Sequence, residues 1–102
     1  MTYKRGNFNV GDVVRVHNNG TLSALPNNGA LGGQVVSVSG DTAAVKTLGK
    51  ITARYTGGPN IDGFLSLVSD GNGNVKLGTS NTVYAILHLD ADKKTVTFIK
   101  TT

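Results

Sequence analysis

The chain has no cysteine, no tryptophan and only two prolines, and no glutamate, because all six acidic residues are aspartate. Without cysteine there is no disulfide framework, no thiolate metal site and no cysteine nucleophile. Without tryptophan, and with aromatic residues at 6%, a core has to be built mainly from valine, leucine and isoleucine. The missing glutamate removes a residue that favours helix interiors, whereas the aspartates that remain favour caps and turns. No run of about 18 apolar residues is present to span a bilayer. The first residues also lack the apolar segment of a secretory signal. The chain is therefore expected to be made and kept in solution, with no membrane partner.

What is abundant points the same way. Glycine occurs 14 times in 102 residues, and asparagine, threonine and valine are plentiful. Threonine and valine suit strands, while glycine, asparagine and aspartate suit the turns between them. The length fits a single domain. An apolar fraction of 38% is enough for a packed core. The formal net charge is +4, which suits an acidic protein surface, an anionic membrane or nucleic acid. The basic residues are scattered, however, and only Lys4-Arg5 and Lys93-Lys94 are adjacent.

Residues 1–9 carry no clear period and read as an N-terminal arm ahead of a single domain over 10–102. A first strand is expected from Val13 to His17, closed by Asn18-Asn19-Gly20, since an Asn-Gly pair supplies the positive φ of a tight hairpin turn. The stretch from Thr21 to Gly33 reads as a long loop anchored by Leu22, Leu25 and Leu31. Val35 to Val38 and Thr42 to Thr47 flank the turn Ser39-Gly40-Asp41. Next, Ile51, Ala53 and Tyr55 alternate with Thr52, Arg54 and Thr56, the mark of a half-buried antiparallel strand, which Gly57-Gly58-Pro59-Asn60 ends.

Two further hairpins follow, Phe64–Val68 with Asn74–Leu77, and Val83–Leu89 with Thr95–Lys100. In the last strand Val96, Phe98 and Lys100 share one face, and Thr95, Thr97 and Ile99 the other. The expected fold is all-β, a small antiparallel barrel or sandwich of about eight short strands.

Catalysis needs titratable groups that converge. The two histidines, His17 and His88, fall on separate strands, and no catalytic, metal-binding or cofactor-binding set is expected. Asp70-Gly71-Asn72-Gly73-Asn74 has the alternating oxygen ligands that open a calcium loop. It lacks glycine at the sixth position (Val75) and glutamate at the twelfth (Asn81), so a hairpin turn accounts for it. The glycine-rich stretches precede no helix, which excludes a phosphate-binding loop. The segment best suited to binding is the arm. In Thr2-Tyr3-Lys4-Arg5, followed by Phe8, the rings of Tyr3 and Phe8 could anchor in pockets on a partner while Lys4 and Arg5 meet carboxylates or phosphates.

The C-terminal residues Gly63-Phe64-Leu65-Ser66-Leu67-Val68, Gly73-Asn74-Val75-Lys76-Leu77, Thr82-Val83-Tyr84-Ala85-Ile86-Leu87 and Ala91 to Lys100 resemble the head-decoration (capsid cement) proteins of tailed bacteriophages. The resemblance implies a homotrimer on the outer face of a capsid assembled in the bacterial cytoplasm. There it would bind the major capsid protein where three capsomers meet and lock the shell against expansion or internal DNA pressure. It also gives the arm, Thr2 to Phe8, a part in that contact, so removal of residues 1–9 is expected to weaken attachment and leave the fold intact.

A second resemblance lies in Val10-Gly11-Asp12-Val13-Val14-Arg15-Val16, Gly32 to Val38 and Thr42 to Lys46, which are similar to the KOW-type SH3-like barrels of ribosomal and transcription-elongation proteins. It implies RNA binding. Because clustered cations and exposed rings are few, nucleic acid is the lesser expectation.

Overall fold

A computed structural model of the protein describes residues 2–57, 63–78 and 82–101. The strands, in chain order, are β1 (Thr2–Lys4), β2 (Val13–Val16), β3 (Leu22–Ala24), β4 (Gly33–Ser39), β5 (Thr42–Lys46), β6 (Gly49–Arg54), β7 (Gly63–Leu65), β8 (Leu67–Ser69), β9 (Val75–Leu77), β10 (Tyr84–Asp90) and β11 (Thr95–Lys100). No helix occurs among the described residues. The fold is all-β and sandwich-like, built from antiparallel sheets and not closed into a barrel. The turn expected at Gly58-Pro59-Asn60 lies outside the described residues, as does Asn81.

Among the described residues eleven strands stand where about eight were expected, for three local reasons. The segment expected as an arm contributes β1, which pairs with β5 through Thr2–Ala44, Tyr3–Ala43 and Lys4–Thr42. The expected loop after Asn19-Gly20 starts with β3, which completes the hairpin with β2. The run Phe64–Val68 is two strands, because the chain changes sheets at Ser66. β7 pairs with β10, while β8 forms the hairpin with β9.

The strands form a five-stranded sheet in the order β1-β5-β4-β2-β3, a four-stranded sheet in the order β6-β11-β10-β7, and the β8–β9 ribbon. Tight turns fix the registers. Between β4 and β5 Gly40 has φ +56°, the positive angle that a two-residue hairpin turn imposes. Gly32 fits only without a side chain, since a Cβ there would lie 2.6 Å from the Val14 carbonyl oxygen.

The five-stranded sheet curls around Tyr3, Val14, Val35, Ala43 and Val45, and Lys4 N donates across the gap to Gly20 O at 2.8 Å. Val13, the neighbour of Val14, points the other way. It joins the main core of Leu25, Leu31, Ile51, Ala53, Tyr55, Leu67, Val75, Tyr84, Val96 and Phe98. Leu25 and Leu31 thus anchor their loop as expected, and Leu22 packs against the smaller cluster. Tyr84 and Phe98 stack at a tilt with ring centroids 5.1 Å apart. Each large side chain buried this way contributes roughly 1.5–3 kcal/mol.

Gln34, buried on β4, ties the layers together. Its Nε2 donates to the carbonyl oxygens of Thr52 on β6 (2.6 Å) and Gly11 (3.3 Å).

Candidate protein-docking surface

The N-terminal segment is placed differently from the expectation of a free arm. Tyr3 is 7% exposed and belongs to the core of the five-stranded sheet, and Phe8 is half-buried against the same cluster. Arg5 is occupied within its own loop, its Nε donating to Phe8 O at 2.9 Å and its Nη2 to Asn9 Oδ1 at 3.0 Å. Its backbone N–H also donates to Asp41 O at 2.8 Å. Thr2 and Lys4 remain exposed. The alternation of a strand explains the division, since Tyr3 faces inward and its two neighbours outward. Removal of residues 1–9 would therefore take an edge strand and a buried ring out of the sheet.

The polar candidates are engaged locally. His17 lines a cavity of about 480 Å³ with Thr2, Tyr3, Val16, Asn18 and Gly20, and its Nε2 is 2.9 Å from Ser23 Oγ. His88 is exposed on β10 of the four-stranded sheet, opposite Thr97 on β11, and does not share a sheet with His17. Asp70 opens the loop between β8 and β9. Its Oδ1 accepts from the N–H of Asn72 (2.8 Å) and Asn74 (3.2 Å), and its Oδ2 accepts from Thr56 Oγ1 (2.8 Å) and Asn74 Nδ2 (3.1 Å). Burial alone would raise the Asp70 pKa. The hydrogen bonds from Asn72, Thr56 and Asn74 outweigh it and hold the carboxyl below its ordinary value. That carboxylate is a turn cap whose acceptor sites are filled by the chain itself.

The outer face of the four-stranded sheet has a different character. Register puts Phe64 on β7 opposite Ala85 on β10, Ala85 opposite Ile99 on β11, and Ile99 opposite Lys50 on β6. This row crosses all four strands on the face turned away from Tyr84 and Phe98. Phe64 is 75% exposed, and Val83, the residue just before β10, is 56% exposed.

A bulge between Ile86 and His88 adds Leu87, which is 53% exposed. The bulge supplies the physical reason: an inserted residue re-aims its side chain while Ile86 and Leu89 keep packing on the core. A second bulge, between Val35 and Ser37 on β4, leaves Val36 exposed in the same manner. Toward β6 the face becomes polar, with Lys50, the pair Thr52–Thr97 (Oγ1 to Oγ1, 2.8 Å) and Arg54. Arg54 is clamped by Asp12 and by Asn74 Oδ1.

Sequence reasoning missed this patch. The one signal was the pattern Phe64-Leu65-Ser66-Leu67, in which Phe64 alternates with a serine and the leucines form the more apolar face.

No protein-family description, no curated protein and no solved structure matches the chain.

Proposed function

We propose that this chain is a structural protein of the head-decoration kind, which binds the outer surface of an assembled phage capsid as a homotrimer. The observation that carries the reading is the apolar patch of Phe64, Val83 and Leu87 on the outer face of an otherwise well-packed sheet. A monomer exposes single apolar residues routinely, but several large apolar side chains turned to one face of a sheet, an aromatic among them, fit a protein contact.

The patch is assigned to the major capsid protein in preference to a second copy. Lys50 borders it and the chain carries a net charge of +4, so an acidic partner is favoured over a like-charged copy. Thr2 and Lys4, the exposed residues of β1, offer a second polar contact. Each attachment is modest, and the trimer multiplies it by holding three patches over one shell at high effective concentration.

The test is cosedimentation with assembled, undecorated capsids over a salt series, beside the solution mass. The expected result is a trimer that pellets with capsids, with a salt dependence weaker than that of RNA binding, because the patch is mainly apolar and its bordering charge only tips the choice of partner. The variant Phe64→Asp is expected to stay in the supernatant while remaining folded. A strict monomer that retards RNA, with affinity falling linearly in log–log form as salt rises, would overturn the reading in favour of an RNA-binding barrel.

A further inference from the structure

The chain holds three Asn-Gly pairs, Asn19-Gly20, Asn28-Gly29 and Asn72-Gly73. Such pairs are prone to deamidation because glycine adds no side chain to hinder attack by its own backbone nitrogen on the preceding asparagine amide. By sequence the three are near equivalent. The fold separates them.

Gly20 N donates to His17 O at 3.1 Å, and the Asn19 side-chain oxygen is held by Thr21, accepting from its N–H at 3.2 Å and from its Oγ1 at 2.7 Å. Gly29 N donates to Pro26 O at 2.9 Å, and Asn28 is fixed at φ 69° with its own N–H on Ser69 O at 2.8 Å. At both pairs the nucleophilic nitrogen is committed to a carbonyl and has to be released by local opening before it can attack.

At the third pair Asn72 is exposed, and its backbone N–H is held by Asp70 Oδ1 at 2.8 Å. The N–H of Gly73 meets no acceptor among the described residues, although its carbonyl accepts from Val13 N at 3.0 Å. The pair also lines a cavity of about 220 Å³ with Asp12, Val13 and Phe8, which leaves water a route to the reacting atoms.

We propose that Asn72-Gly73 is a spontaneous modification site, at which the folded protein deamidates while its two other Asn-Gly pairs are protected. Gly73 N, losing its proton to water, bonds to Asn72 Cγ. The Cγ–Nδ2 bond breaks, and Nδ2 leaves as ammonia with that proton. Water then opens either carbonyl of the resulting five-membered imide, giving aspartate or isoaspartate at position 72. No oxidant or enzyme is needed. The product adds a negative charge two residues from Asp70, and the isoaspartate form also lengthens the backbone of a loop whose residue count sets the Ser69–Val75 register.

The experiment is a time course of the folded full chain at mildly alkaline pH, digested and mapped by mass spectrometry for the exchange of amide for hydroxyl. The same chain in urea serves as the reference. Conversion at Asn72 is expected to lead that at Asn19 and Asn28 by roughly tenfold or more in the folded protein, the protection that local opening imposes on the other two. In urea the three rates are expected to converge. Asn72→Ser is expected to abolish the fast phase and leave the slow ones. Equal rates at Asn19 or Asn28 in the folded chain would overturn the proposal, as would an Asn72 that converts in urea but not in the folded state.

Discussion

Phe98 and Phe64 stand on opposite faces of one sheet, separated by the single strand β10. Phe98 is fully buried against Tyr84, and Phe64 is 75% exposed. The inner face keeps strict alternation through Ile51, Ala53, Val96 and Phe98, and stability is concentrated there. The outer face turns an aromatic and a bulged leucine to solvent, where they add nothing to either buried cluster. The comparison predicts that the two phenylalanines separate stability from binding.

The largest expected effect is therefore Phe98→Ala, which deletes a ring at the centre of the main core. A loss of about 3–5 kcal/mol follows from the lost burial and the cavity left behind. In a domain this size that threatens folding outright. Urea midpoints at constant slope measure it.

Gln34→Ala comes next. It leaves the Thr52 and Gly11 carbonyl oxygens without their cross-layer donor, at a cost of about 1–3 kcal/mol. Together the two variants ask whether the inner face is held by packing alone or also by this single polar tie.

How much of that comparison was legible in sequence differs by element. The inner face of β6 was readable in full, because Ile51, Ala53 and Tyr55 alternate with polar residues and no bulge interrupts them. The alternation of β11 was equally clear, including Lys100, which the fold buries at its end and whose pKa burial lowers. β1 escaped notice because three residues cannot display a period.

The split at Ser66 escaped because Phe64 to Val68 is one short run of mostly apolar residues with no turn signal inside it, while the hydrogen-bonding partner changes. Period reports which face a residue takes, not which strand lies beside it. The bulge at Leu87 escaped for a related reason. Within Ala85-Ile86-Leu87 one inserted aliphatic residue looks like continued strand, so the exposure of Leu87 was invisible until register was known.

A smaller effect tests the turn that supports the inner face. Asp70 is held below its ordinary pKa, with burial opposing and the hydrogen bonds from Asn72, Thr56 and Asn74 prevailing. The unfolded chain therefore binds this proton first as pH falls. The stabilisation is complete above the ordinary aspartate pKa and is lost as pH drops through the lower, folded value. Asp70→Asn is expected to flatten that acid limb of the melting temperature against pH, by less than the Gln34 effect because solvent screens the site. An unchanged acid limb would assign the pH dependence to other carboxylates.

The smallest stability effect expected is that of Phe64→Ser. Its ring makes no part of either buried cluster, and surface substitutions away from packing features stay within about 0.5 kcal/mol. Removing an exposed ring from a short edge strand also removes a surface on which chains could aggregate, so solubility is expected to hold or improve. Under the capsid reading proposed above, attachment is by contrast expected to fall sharply, since a buried aromatic anchor carries a large share of a contact's energy. A variant that melts with the parent and yet fails to cosediment assigns Phe64 to the partner. A variant that melts well below the parent places the ring among the residues the fold itself requires, and the distinction between the two faces fails.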